Sequence, residues 1–163
     1  MYLDALSFLE DERDALRPYE ALLDLSDEQL DTAVDGAGGW SGRDLLGHII
    51  LWQEAALATA KELAVGSTSP TMERIEAQWA GSAEAGDAMN ADGLARFRAM
   101  SMDDVRATFR TVAGELRGYL TVVPEVRWIK DAGHQEYFFG ETMAHYEDHA
   151  KELAAILEGA RPA

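Results

Sequence analysis

The chain has 163 residues, 47% of them apolar, and carries 14 basic against 30 acidic side chains for a net charge of −16. That length suits one domain, 1–163, with a core that needs no covalent staples, and the acidic balance argues against nucleic acid or anionic lipid as a partner. With no cysteine present, disulfides, thiolate metal sites and cysteine nucleophiles drop out, which fits a reducing cytoplasm.

The N-terminus turns acidic by Glu10-Asp11-Glu12 and has no leader-like features. Nor is there an apolar run able to span a membrane, because Gly47 and His48 interrupt the best one, Leu45 to Leu51. Acidic residues occur in every segment, as expected of a solvated surface.

Apolar residues recur at helical spacing and strand-like alternation is nearly absent, so the elements read as helices. Leu9, Leu16 and Leu23 mark a first amphipathic segment from Leu3 to Leu25, kinked or divided at Pro18. Ser26-Asp27-Glu28-Gln29 has the form of a capping box and predicts a short helix. Gly36-Ala37-Gly38-Gly39 reads as a turn, since it lacks the Lys-Ser/Thr of a phosphate loop. Ser41 caps a long helix with Asp44 in its first turn; Leu45, His48, Trp52, Ala55 and Thr59 share one face up to Val65-Gly66.

Ser67 to Pro70 is a break. Beyond it, Thr71 to Met100 holds helix-prone pieces at Glu73–Trp79 and Leu94–Met100 around a small, polar stretch. Ser101 opens the clearest helix, with Val105, Phe109, Val112, Leu116, Tyr119 and Val123 forming a narrow seam before Pro124. Glu125 to Tyr137, with Gly133 and His134, reads as a loop that leaves His134 exposed. A last helix runs from Phe138 or Glu141 to Leu157, ends at Gly159, and carries Thr142, His145, His149, Leu153 and Ile156 inward. Four long amphipathic segments with short extra helices in the connections make an all-α four-helix bundle.

His145 and His149 are one helical turn apart and point the same way. His48 could add a third nitrogen if the second and last long helices are neighbours. Three imidazoles leave a divalent metal with an open position, the pattern of catalytic sites. The competing reading makes them core histidines bonded to carboxylates such as Asp148 or Glu141. His145-Tyr146-Glu147-Asp148-His149 departs from His-Glu-x-x-His at Tyr146 and comes closer to the inverted His-x-x-Glu-His. Asp148 is shorter than the glutamate of that motif and points away from the ion, so a metalloprotease is not expected.

Trp40-Ser41-Gly42-Arg43-Asp44-Leu45-Leu46-Gly47-His48 resembles the Trp-Ser-x-x-Asp-Leu-Leu-x-His signature of the DinB/YfiT-like superfamily. Ser101 to Leu120 resembles that family's third helix, and Glu141 to His149 its closing His-x-x-x-His segment. The resemblance implies a four-helix bundle in which His48, His145 and His149 hold a divalent metal. It also implies activities such as addition of bacillithiol or mycothiol to electrophiles, or mycothiol-dependent maleylpyruvate isomerisation, and no DNA binding. Asn90, Ser101 to Val105 and His145-Tyr146 also resemble the ClbS/DfsB branch, linked to genotoxin resistance, which does not generally keep all three histidines.

The expected function is therefore a metal-dependent detoxification or stress enzyme, a low-molecular-weight-thiol S-transferase or a hydrolase. The alternative is a non-catalytic stress or small-molecule-binding bundle, ClbS/DfsB-like, with a structural or vestigial metal site. Zn²⁺ or Ni²⁺ leads, with Fe, Cu or Mn behind, and a low-molecular-weight thiol would supply the sulfur this chain lacks. Glu141, Tyr146 and Asp148 are the candidate acid–base or ligand-orienting groups, and Trp40 and Trp52 are expected in core packing. The expected partner is a small-molecule substrate, with no nucleic acid and no membrane, and exposed apolar faces could pair two copies as a homodimer.

Overall fold

Six short polar side chains start helices, each accepting a hydrogen bond from a backbone N–H three residues on: Asp4, Ser26, Ser41, Ser69, Ser101 and Asp131. The protein is described by a computed structural model covering residues 1–81 and 83–161, with residues 81 and 83–86 described by their backbone alone. Among the described residues every regular element is helical.

Helix α1 (Ala5–Leu16) ends two residues before Pro18, and the next stretch, Arg17–Asp24, winds as a tighter 3₁₀ helix. Pro18 thus divides the segment. Tightening from about 3.6 to about 3.0 residues per turn also rotates the inward face. Leu9 and Leu16 are buried as predicted, but Leu22, six residues or two 3₁₀ turns after Leu16, takes the core position expected of Leu23. Helix α2 (Asp27–Asp31) carries the full Ser26/Gln29 capping box. The turn that follows bends through Gly38 and Gly39 at φ 64° and 86°, in the left-handed region that favours glycine.

Helix α3 (Gly42–Val65) is the central column, with every residue from Asp44 to Ile50 buried. Helices α4 (Pro70–Gly81) and α5 (Ala83–Ala99) pack against it and each other. The small, polar stretch expected between two helical pieces is therefore largely helix; its residue 82 lies outside the described residues. Its periodicity is faint because α4 and α5 bury few large side chains, chiefly Ile75, Leu94 and Phe97. Glycine lets α5 come close: a Cβ on Gly47 would sit 2.7 Å from the Phe97 ring, and one on Gly93 2.5 Å from Leu51.

Helix α6 (Met102–Val122) lies along α3 and buries the predicted seam of Val105, Phe109, Val112 and Leu116, with Leu120 added and Tyr119 half out. A single 3₁₀ turn, Glu125–Arg127, leads to α7 (Ala132–Phe139), where a loop was expected. Gly133 misleads there, since it falls in the first turn after the Asp131 cap, where a glycine costs little; Gln135, Tyr137 and Phe138 are buried. His134 is accordingly a half-buried helix residue.

The column continues through a π-turn at Gly140–Ala144 into α8 (His145–Asp148) and α9 (Ala150–Gly159), with a hitch at His149 (φ −100°, ψ 9°). Four columns (α1, α3, α6 and α7–α9) enclose one core, in which Phe8 and Phe138 pack edge-on against Trp128. No described helix is long and apolar enough to cross a membrane.

Candidate metal centre

The second and last long columns are neighbours, so the condition on His48 is met. The Ser41/Asp44 capping box sets where α3 begins, and an ion pair from Arg98 to Asp44 (2.7 Å) fastens α5 beside it. Burial pushes the Asp44 carboxyl up, but hydrogen bonds from Arg98 and Ser41 win and hold it below its ordinary value. Across the interface, Thr142 donates its hydroxyl to the Phe138 carbonyl at 2.5 Å, a back-bond of the kind that bends helices. The π-turn at this point inserts an extra residue and resets the phase of everything after it. Such turns concentrate at functional sites.

The result is a tight triangle. Ring centroids are 4.8 Å apart for His48–His145, 4.6 Å for His48–His149 and 4.8 Å for His145–His149. One nitrogen from each histidine lies within 4.8 Å of the others. His48 is buried and the other two half-buried. His48 Nδ1, His145 Nε2 and His149 Nδ1 are buried with no hydrogen-bond partner. Burial first, then the neighbouring imidazoles, pushes His48 and His145 down from 6.5 to about 3. They are therefore neutral near pH 7, the form that ligates metal. Three imidazoles within reach of one point fit Zn²⁺, Ni²⁺, Cu²⁺ or Fe²⁺.

The triangle forms part of the wall of a cavity of about 600 Å³. Trp40 stacks on His149 (5.4 Å, 23°) and meets His48 edge-on at 4.9 Å. Trp52, a turn beyond His48, lies 5.9 Å from His145 and 5.9 Å from Trp79 of α4. The Trp52 indole N–H donates to Asn90 of α5 at 3.2 Å. Gly140, Glu141 and Asp148 complete the wall from the last column. Desolvation pushes the Glu141 carboxyl up to about 7.

Of the candidate acid–base residues, Glu141 and Asp148 line the cavity, Asp148 from its exposed rim. Tyr146 does not. One residue past His145 it points about 100° away, and its buried hydroxyl donates to Glu12 (2.9 Å) and accepts from Gln53 (2.9 Å). Trp40 and Trp52, expected in core packing, both line the cavity, although Trp52 is also buried.

Among the described residues the carboxylate that approaches a site imidazole is neither Asp148 nor Glu141. It is Glu152, whose Oε2 lies 3.6 Å from His149 Nδ1, beyond hydrogen-bond range, and has no hydrogen-bond partner. Its position three residues after His149, on the same helix face, was the available signal. Trp79 was also missed as a site residue. The spacing of three and four residues along Met72, Ile75 and Trp79 marked it as the end of an apolar stripe.

A model of the DinB superfamily matches residues 9–155. No curated protein and no solved structure matches the chain. The chain belongs to the DinB superfamily.

Proposed function

We propose that this protein is a metal-dependent detoxification enzyme, a low-molecular-weight-thiol S-transferase or a hydrolase, in which His48, His145 and His149 hold one divalent cation, Zn²⁺ or Ni²⁺ first. The observation that carries the reading is the set of three mutually close imidazoles, each with a buried nitrogen lacking a partner, on the wall of a cavity of about 600 Å³. A cavity of that size supports a substrate site over a sealed structural one.

When bound, the metal supplies Lewis acidity that lowers the pKa of a thiol or water at neutral pH. The sulfur must come from outside, because the chain has no cysteine. A cytoplasmic setting, where thiols stay reduced, agrees with that. Glu141, poised at about 7, can take up the proton of a thiol or water and return it to a leaving group. Glu152, whose Oε2 stands 3.6 Å from the unpartnered His149 Nδ1, is the carboxylate placed to steady that ring. The indoles of Trp40, Trp52 and Trp79 exclude water and hold the apolar part of the substrate.

The test is elemental analysis of protein purified without an affinity tag, for the wild type and His149→Ala. Near-stoichiometric metal in the wild type is expected, with a fall in Tm on chelation and loss of both in the variant. Wild type without metal, and with a Tm that chelator does not move, would overturn the proposal.

A further inference from the structure

The cavity wall is electrostatically one-sided. It carries Glu141 and Asp148, and among the described residues no lysine or arginine lines it. The cationic groups of α3's first turn and of α5 are committed elsewhere. Arg43 bonds Asp31 and the carbonyls of Phe97 and Met100, Arg96 bonds Glu54, and Arg98 bonds Asp44. Lys151, two residues after His149, is exposed and does not line the cavity. No basic residue occurs between Arg74 and Arg96, so the junction of α4 and α5 supplies none either.

Against this acidic background stand three indoles. Trp79 is 45% exposed at its place on the wall, and Trp52 packs against it at 5.9 Å and 41°. The one polar group of Trp52 is already satisfied by Asn90, so it offers the cavity only its ring. Indole faces attract flat apolar groups and, through their quadrupole, cations.

We infer that, away from the three histidines, this cavity selects planar, apolar substrate groups that carry no negative charge, and that it takes a cationic ring there in preference to a neutral one. The inference rests on reading the cavity as the substrate site. Away from the three histidines, carboxylates and phosphates meet Glu141 and Asp148 with no lysine or arginine on the wall to compensate. The same filter acts on a thiol co-substrate and favours an uncharged thiol over one with several carboxylates. Specificity thereby falls to the α4–α5 pair, which contributes Trp79 and Asn90 to a wall otherwise built by the Trp40 turn, α3 and the last column.

The test uses three probes of one shape and different charge: N-methylquinolinium, 2-naphthylmethanol and 2-naphthoate. Their binding is measured by calorimetry to the protein as purified and after chelator treatment, since a divalent ion would attract the carboxylate directly. In chelator-treated protein the cation should bind at least about tenfold tighter than the carboxylate, with the alcohol between them. Trp79→Ala should weaken the cation and the alcohol by about five- to tenfold and leave metal content unchanged. The double variant Glu141→Gln, Asp148→Asn should bring 2-naphthoate to within about twofold of the alcohol. Carboxylate binding as tight as the cation's, failure of all three probes, or indifference of all three to Trp79→Ala would overturn the inference. Wild type that carries no metal as purified, with a Tm that chelator does not move, and that still ranks the cation first would overturn the enzyme reading alone. Metal-replete wild type that loses the ranking after chelation would overturn the charge filter alone.

Discussion

Two groups of buried polar side chains meet the last column one residue apart, and they are completed differently. Around Tyr146 the accounts close. Its hydroxyl bonds Glu12 and Gln53, Arg117 bonds the other Glu12 oxygen at 2.8 Å, and Tyr19 donates to the Tyr146 carbonyl at 2.6 Å; only Gln53 Oε1 lacks a partner. Around His145 three ring nitrogens and Glu152 Oε2 are buried without hydrogen bonds. A closed network joins α1, α3, α6 and the last column, and its effect is on stability. An open one gains nothing for the fold, because unpaired buried polar atoms cost free energy, and this supports the proposed metal site.

That contrast can be broken most forcefully at Glu12, which is 1% exposed. Glu12→Ala leaves the Arg117 guanidinium and the Tyr146 hydroxyl without their acceptor and should lower the unfolding free energy by about 3 kcal/mol. Urea denaturation reads this, and metal content in the same samples should not change. Loss of metal at unchanged stability would show that the two groups are one.

The next effect is smaller and of the opposite kind. Glu152→Gln should weaken metal binding about 10- to 100-fold, the usual cost of losing a carboxylate behind a ligating histidine. Stability of the metal-free protein should move by no more than about 0.5 kcal/mol. Competition against a chromophoric chelator measures the affinity; an unaltered constant would remove Glu152 from the site.

The third test is pH. In metal-free protein His48 and His145 sit near 3 rather than 6.5, so between those values the unfolded chain binds more protons than the folded one. Stability should therefore fall as pH drops through 6.5 towards 3, and His48→Gln should flatten that slope. Tyr146, pushed well above its ordinary value mainly by burial, contributes nothing in this window. A slope unchanged in His48→Gln would place the acid sensitivity outside the histidines.

Much of this was legible beforehand wherever the physics is local. Caps at Ser26, Ser41 and Ser101 act within one turn, and the stripes of α3 and α6 repeat over several turns, so both could be read directly. Leu23 was misplaced by one residue because a switch to 3₁₀ winding leaves little mark on the residue pattern. Most of α4 and α5 was obscure because small residues carry little periodicity, although packing against α3 holds them. Tyr146 could have been set aside by angle alone, as it follows His145 by a single residue. Trp79 could not have been placed, since nothing near it shows which helix it faces.

Read from residues alone, then, were an all-α bundle, the helix starts, and His48, His145 and His149 as the set to watch. Those depend on caps and spacings that act over a turn or two of helix. The packed chain was needed to bring α3 and the last column side by side and, past the π-turn, to leave three ring nitrogens unpartnered beside one another. It also turned Glu152, Trp40, Trp52 and Trp79 towards the same place. Such features depend on which distant segments become neighbours and in what phase, and helical periodicity within one segment carries no record of its partner.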